Sequence, residues 1–207
     1  MKDTKTKLLK TAAALFARRG VDGVSTRELA KQAGVNLCAI NYYFGSKQKL
    51  YEAAIDEVIA TINGQLFNSE ALPEEKVSPQ EEIKTIICRF FDFLCGNAIS
   101  DVQAMLMVNE IFSPSTAYDN FYPKIIEPVH RRISYLTAKI LSMDENAPEA
   151  MIITHTLFGQ ALIFRIHKEA LLRCMNIKKY TPEVLDNIKK QIAQNCDAVL
   201  ESARRLQ

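Results

Sequence analysis

Thr26-Arg27-Glu28-Leu29-Ala30-Lys31-Gln32-Ala33-Gly34-Val35-Asn36-Leu37-Cys38-Ala39-Ile40-Asn41-Tyr42-Tyr43-Phe44-Gly45 is the stretch on which the reading of this 207-residue chain turns. Ser25 before it and Glu28 three residues later spell a capping box. Leu29, Ala30 and Ala33 then recur at helical spacing until Gly34 stops the helix. A second short helix follows at once, with Asn36 as N-cap, Ile40 and Phe44 facing inward, and Gly45 at its end. Two short helices joined by a tight turn form a helix-turn-helix, whose second helix can lie in the DNA major groove. Ala30 is small where the helices cross, and Val35, Ile40 and Phe44 plug the second helix into the core. Leu37, Cys38, Asn41 and Tyr42 therefore project outward. The same spacing also fits an αα-hairpin inside a helical bundle, so the pattern alone leaves both architectures open.

Working outward, Leu8, Ala12 and Phe16 give a preceding helix over residues 4–19, ended by Gly20. Ser46 caps a fourth helix carrying Leu50, Ala54, Val58 and Ile62. A Glu- and Pro-rich linker is expected over residues 68–77. Ser78-Pro79-Gln80-Glu81 then restarts a helix, and Ser100-Asp101 begins another that runs to Pro114. Residues 121–142 read as a long segment that Pro128 must kink or open, because it has no N–H to donate. Residues 147–174 read as one helix with Pro148 in its first turn, and Thr181-Pro182-Glu183 opens the last, which ends near residue 204. With no alternating strand pattern, the chain is all-α, of about nine helices. It divides into a three-helix head over residues 1–50, the DNA-binding domain on the helix-turn-helix reading, and a helical body over 51–207.

Charge follows that division. Residues 1–50 hold ten Lys/Arg against Asp3, Asp22 and Glu28, a sum of +7, so the other 157 residues carry −5 of the net +2. A basic head on an acidic body suits a polyanion partner bound by the head alone. Hydrophobic residues at 48 % exclude wholesale disorder. The longest apolar run, Ala12–Ala17, is too short to cross a membrane and lacks the length of a signal sequence, which places the chain in the cytosol. Cys38, Cys88, Cys95, Cys174 and Cys196 show no Cys-x-x-Cys spacing and read as small buried hydrophobes rather than a disulfide frame. His130, His155 and His167 are not expected to assemble. No metal spacing, Gly-rich phosphate loop or nucleophile elbow is present, so neither cofactor, metal nor catalysis is expected.

The segment from Leu8 to Gly20 resembles the first helix of TetR-type repressors. Thr26 to Val35 is similar to their second helix and turn, and Ala39 to Leu50 to their recognition helix and the start of the next. One departure is Asn41, where most members carry Tyr. The resemblance implies phosphate contacts from Thr26, Arg27, Tyr43 and Lys47, with Arg27 able instead to reach a guanine edge, and it counts Asn36 among the DNA-binding residues. It also implies base reading by Leu37, Cys38, Asn41 and Tyr42 on a double-stranded operator. Chemically, Thr26 and Arg27 at a helix start suit a phosphate, Asn41 suits adenine and Leu37 a thymine methyl. Asn109-Glu110-Ile111-Phe112-Ser113-Pro114-Ser115, Glu127-Pro128 and Phe158-Gly159-Gln160 are similar to the subgroup with a CecR-type C-terminal domain.

The run Leu157–Phe164 is apolar on nearly every side and must be covered on every side. A second copy of the chain is expected to cover one side. This gives a two-fold homodimer through Leu157, Gly159, Ala161, Phe164, Ile188, Ile192 and Val199. The resemblance implies the same, together with an effector cavity. Its candidate lining is Phe90, Leu94, Met105, Asn109, Phe112, His130 and His155, suited to an apolar or amphipathic small molecule. The body could instead bind a protein partner.

Overall fold

The computed structural model describes residues 2–64, 77–96 and 98–206, and among these it contains helices and no strand. The helices are α1 (Lys2–Arg19), α2 (Thr26–Ala33), α3 (Cys38–Phe44), α4 (Lys47–Ile62), α5 (Pro79–Cys95), α6 (Asp101–Phe112) and α7 (Tyr118–Phe121). After a π turn at Tyr122–Ile126 come α8 (Glu127–Ile140), α9 (Pro148–Ile166), α10 (Lys168–Cys174) and α11 (Pro182–Arg205). The linker expected over 68–77 lies, Val77 apart, outside the described residues.

Five of the helix starts follow from a hydroxyl cap. Ser25, Ser46, Ser78, Ser100 and Thr181 each accept the backbone N–H three residues on. The box expected at Ser25 closes only halfway, because the Glu28 carboxylate pairs with Arg19 instead of reaching back. The reciprocal box forms at α6, where Gln103 Oε1 accepts from Ser100 N at 3.0 Å. Pro128 opens α8 rather than kinking a continuous helix.

Among the described residues eleven α segments stand where about nine helices were expected. The predicted 147–174 helix breaks at His167, which takes φ −99° and ψ 22°. The Phe164 carbonyl, which an unbroken helix would offer to residue 168, accepts the Tyr180 hydroxyl at 2.8 Å. The break therefore has a tertiary cause.

The helices sort into two compact units, one holding the described residues up to 64 together with Ile99–Ile125, the other holding the rest. The division differs from a cut at residue 50, because α4 is continuous to Ile62 and α6 returns to pack on α1 and α4. Leu8, Ala12 and Phe16 of α1, Leu29, Ile40, and Leu50 and Val58 of α4 are fully or almost fully buried in the first unit. The Phe16 and Tyr51 rings meet edge to face at 5.3 Å. In the second unit α5 packs on α8, α9 and α11. Ile83, Ile87, Phe91, Ile133, Leu157, Ala161, Ile192 and Cys196 make its core. Arg132 on α8 grips Glu82 on α5 through two bonds of 2.7 and 2.8 Å.

Candidate nucleic-acid interface

The head is built around Gly34, whose φ of 61° and ψ of 40° are the left-handed values that a tight turn between α2 and α3 demands. Its N–H and that of Val35 close onto the carbonyls of Lys31 and Ala30. Asn36 Oδ1 accepts from Cys38 N at 2.9 Å in the turn that leads into α3, whereas the N-cap itself is Leu37, one residue later than the sequence suggested and without a side-chain cap. Ile40 is buried and Phe44 half-buried, which anchors one face of α3. The other face carries Leu37, Cys38, Asn41 and Tyr42, all exposed, with Tyr42 at 71 %. Positions 38, 41 and 42 are one turn apart and share that face. Seven residues at 1.5 Å rise make a rod of about 10 Å, short enough to enter a major groove end-on. Tyr43 is half-buried, its ring edge to face with Tyr42 at 4.9 Å. Arg27 is exposed at the start of α2, with Thr26 half-buried beside it.

Lys47, expected at a phosphate, also has a structural job. Its ammonium donates to the carbonyls of Val21 at 2.8 Å and Val24 at 3.1 Å, stitching the start of α4 to the α1–α2 connection. One of its three N–H groups is left for a phosphate. Two other cations stand near the reading helix. Lys5 Nζ lies 5.5 Å from the centre of the Phe44 ring, and Lys7 Nζ sits beside Gly34. The density of lysine in α1 was the available signal for them.

Other predicted residues divide between the units. Asn109 faces α1, its amide donating to the carbonyls of Phe16 and Ala17, both at 3.2 Å. Phe112 is 64 % exposed and Met105 half-buried in the same unit. In the second unit Leu94 is plain core. Phe90, His130 and His155 do come together around Phe158: His130 stacks flat on that ring at 4.2 Å, and Phe90 meets it edge-on at 5.1 Å. Of the three histidines not expected to assemble, two do meet, the His130 and His155 rings lying 5.4 Å apart. Burial, and then the neighbouring His155, push His130 down to about 4, so its imidazole is neutral at physiological pH. A separate groove of roughly 230 Å³ lies among Phe164, Leu171, Met175, Val184 and Ile188. Among the described residues no three metal-ligating side chains gather.

Of the residues expected at a subunit seam, Leu157, Ala161 and Ile192 are wholly buried within their own chain, and Ile188 is buried but for the edge that lines the groove. Phe164 and Val199 are half-buried, and Gly159 is exposed. The sequence read the apolar character of α9 but not which side the chain itself covers. Cys196 is buried as expected, whereas Cys38 and Cys174 are exposed. Burial pushes the thiol of Cys196 up to about 12 and that of Cys95 to about 11, which keeps both protonated.

Sequence reasoning missed Tyr51 and Glu110. Glu110 is 1 % exposed, and its carboxylate takes the Tyr51 hydroxyl at 2.5 Å on one oxygen and Ser115 N and Oγ at 3.2 Å on the other. Burial and the adjacent carboxylate hold the Tyr51 phenol far above its usual range. A lone acid inside the apolar run from Met105 to Phe112 was the signal, because a buried charge needs partners.

A tight turn closed at a left-handed glycine, a short second helix anchored by Ile40 and a lysine-rich flank define a helix-turn-helix protein. Known proteins narrow that class. Residues 8–54 match the model of the bacterial regulatory proteins of the tetR family, and residues 79–203 match the C-terminal domain of the HTH-type transcriptional dual regulator CecR. The chain is 32% identical to the CecR regulator of Shigella flexneri over 95% of its own length and 91% of that protein. It is 44% identical to a probable HTH-type transcriptional regulator, YttP of Bacillus subtilis, over 44% of this chain and 42% of that one. Among solved structures, AibR in complex with isovaleryl coenzyme A and operator DNA aligns with a TM-score of 0.65 at 12% identity. The alignment covers 92% of this chain and 96% of AibR. This chain belongs to the TetR family of transcriptional regulators and carries a CecR-type C-terminal domain.

Proposed function

We propose that the protein is a homodimeric repressor, acting in the cytoplasm, whose two heads read a palindromic operator and whose body releases them when a small apolar or amphipathic molecule binds. The observation that carries DNA reading is the exposed α3 face of Leu37, Cys38, Asn41 and Tyr42 set against a buried Ile40 within a head of charge +7. Thr26, Arg27, Tyr43 and the remaining N–H of Lys47 flank that face as phosphate contacts. Dimerisation falls to the side of α9 that its own chain leaves bare: Ile152 at 65 %, Ile163 at 45 %, Ile166 at 36 %, and Gly159, beside which a Cβ would meet open space. The Phe90–His130–His155–Phe158 cluster is the favoured effector wall, offering flat aromatic faces and a neutral imidazole. That AibR, alike in fold, has been seen with an acyl coenzyme A and operator DNA supports an effector-responsive body. An effector can act only through differential affinity for the bound and released states.

Selection of duplexes from a random pool with the full chain, followed by titration of small molecules against the selected complex, tests this reading. A palindromic consensus and a ligand that lowers DNA affinity are expected. Failure to enrich any duplex in dilute buffer would end it.

A further inference from the structure

The segment Asn109–Ser115 was singled out by the sequence, yet the DNA-reading function leaves it unused. Its side chains touch both helices that frame the helix-turn-helix. Asn109 donates to the two carbonyls at the end of α1, beside Gly20, whose N–H also closes onto Phe16 O. Glu110 receives Tyr51 from α4 and Ser115 from the following loop, and both Tyr51 and Glu110 are almost wholly buried. The loop continues the same attachment along α4. Gln48 donates to Thr116, which donates to Glu52, both at 2.9 Å, and Asn120 donates to Asp56 at 2.7 Å. At the other end of α6, Gln103 donates to Thr61 at 2.9 Å. Polar side chains at α4 positions 48, 51, 52, 56 and 61 are thus all held by α6, the loop beyond it or α7. Such a density of directed bonds fixes register in a way that apolar packing, being non-directional, does not.

We propose that Asn109, Glu110 and Ser115 are positioning residues for operator recognition: they bolt α6 and its loop to α1 and α4, so the DNA-reading module comprises the N-terminal helices and α6–α7 moving as one body. The inference rests on the DNA-binding reading above. After the bolted loop the chain passes through the π turn Tyr122–Ile126 into α8. π turns are frequent where a helix must adjust without breaking. A head loosened from this bolt keeps its own reading surface but loses the fixed placement that a two-half-site operator requires of it.

The test uses the full chain and its pool-selected duplex, with fluorescence anisotropy on the complete operator and on a duplex carrying one half-site. Tyr51→Phe keeps the ring packed on Phe16 and removes only the hydroxyl, and Ser115→Ala removes a partner from a half-buried position. Both are expected to weaken complete-operator binding about tenfold, while half-site affinity stays within about twofold. Glu110→Gln retains an acceptor for Tyr51 and is expected to restore part of that loss relative to Glu110→Ala. Equal loss on both duplexes, or loss on neither, overturns the proposal, the first because the bolt then merely supports the head's fold. Amide exchange gives a readout that needs no DNA. Tyr51→Phe should speed exchange in α4 and in the 113–120 loop together, and exchange unchanged in either segment also overturns it. A wild-type chain that binds no duplex counts against the regulator reading, while the exchange result still decides the bolt.

Discussion

Replacing Lys47 by Met separates two jobs that the structure assigns to a single ammonium. The side chain keeps most of its apolar stem but loses the bonds to the carbonyls of Val21 and Val24, at 2.8 and 3.1 Å. A bond from a charged donor contributes about 1.5–3 kcal/mol when buried. This ammonium is only half-buried, so solvent screening reduces the pair together to about 2 kcal/mol. For a chain of this length that loss lowers the melting temperature by about 4–8 °C. Lys49, two residues on and exposed, has the same charge and lacks any such carbonyl bond among those seen. Lys49→Met should therefore change stability by less than about 0.5 kcal/mol. Urea unfolding followed by circular dichroism measures the difference, because the two variants have equal net charge. Salt dependence of operator binding adds the second axis: each lost phosphate contact lowers the slope by about 0.9. Lys47→Met should lower both stability and slope. Equal stability of the Lys47 and Lys49 variants would refute the carbonyl anchor.

Gly34→Ala forces an alanine into φ 61° at a cost of about 1–2 kcal/mol, read as a lower urea midpoint and weaker operator binding; an unchanged midpoint would show that the turn relaxes freely. Tyr180→Phe removes the bond to the Phe164 carbonyl and should cost about 1 kcal/mol, with faster amide exchange confined to residues around the α9–α10 break. Ile163→Asp places a charge on the bare α9 face and should turn a dimer into monomers in sedimentation velocity, while a variant that still sediments as a dimer removes α9 from the seam. His130 is held near 4 when folded, against an ordinary value of about 6.5. Between those values the unfolded chain binds the proton and the folded chain does not, so stability falls as pH drops from 6.5 towards 4 and is flat above. The loss amounts to about 2 kcal/mol by pH 5. His130→Phe should abolish that portion of the pH dependence, and an identical pH profile in the variant would contradict it.

Local chemistry was legible in the sequence, and tertiary choice was not. Ser25, Ser46, Ser78, Ser100 and Thr181 each announce a helix start because a hydroxyl and the amide three residues on are all that a cap requires. The left-handed Gly20 and Gly34 were legible for the same reason. What escaped reading depends on residues far apart in the chain. Glu28 had two possible partners, and the distant Arg19 captured it. Lys47 could reach solvent or the carbonyls 23 and 26 residues earlier, and its spacing alone does not choose. Tyr180 ends α9 from sixteen residues away. Asn109 and Phe112, expected against an effector, sit in the same unit as the reading helices, the first engaged with α1 and the second exposed. Helical periodicity identifies a face without saying what covers it.

That last ambiguity can be resolved for α9 by subtraction. Leu157, Phe158 and Ala161 are spent on the chain's own core, which removes one side of a helix whose sequence is apolar all round. The remainder, Ile152, Thr156, Gly159, Ile163 and Ile166, advances by four, three, four and three residues, the spacing of a helix–helix seam. Thr156 would be the misfit in such a seam, but its hydroxyl already donates to the Ile152 carbonyl at 3.0 Å and so presents a methyl outward. Gly159 falls at the centre, where open space beside its Cα permits a close approach by a second helix. A bare strip with the seam spacing, a satisfied hydroxyl and a gap at its midpoint matches a helix of its own kind. The two-fold pairing that a palindromic operator requires is therefore supported by Gly159, which the sequence already suggested, and by Ile152, Thr156, Ile163 and Ile166 in place of the buried Leu157 and Ala161.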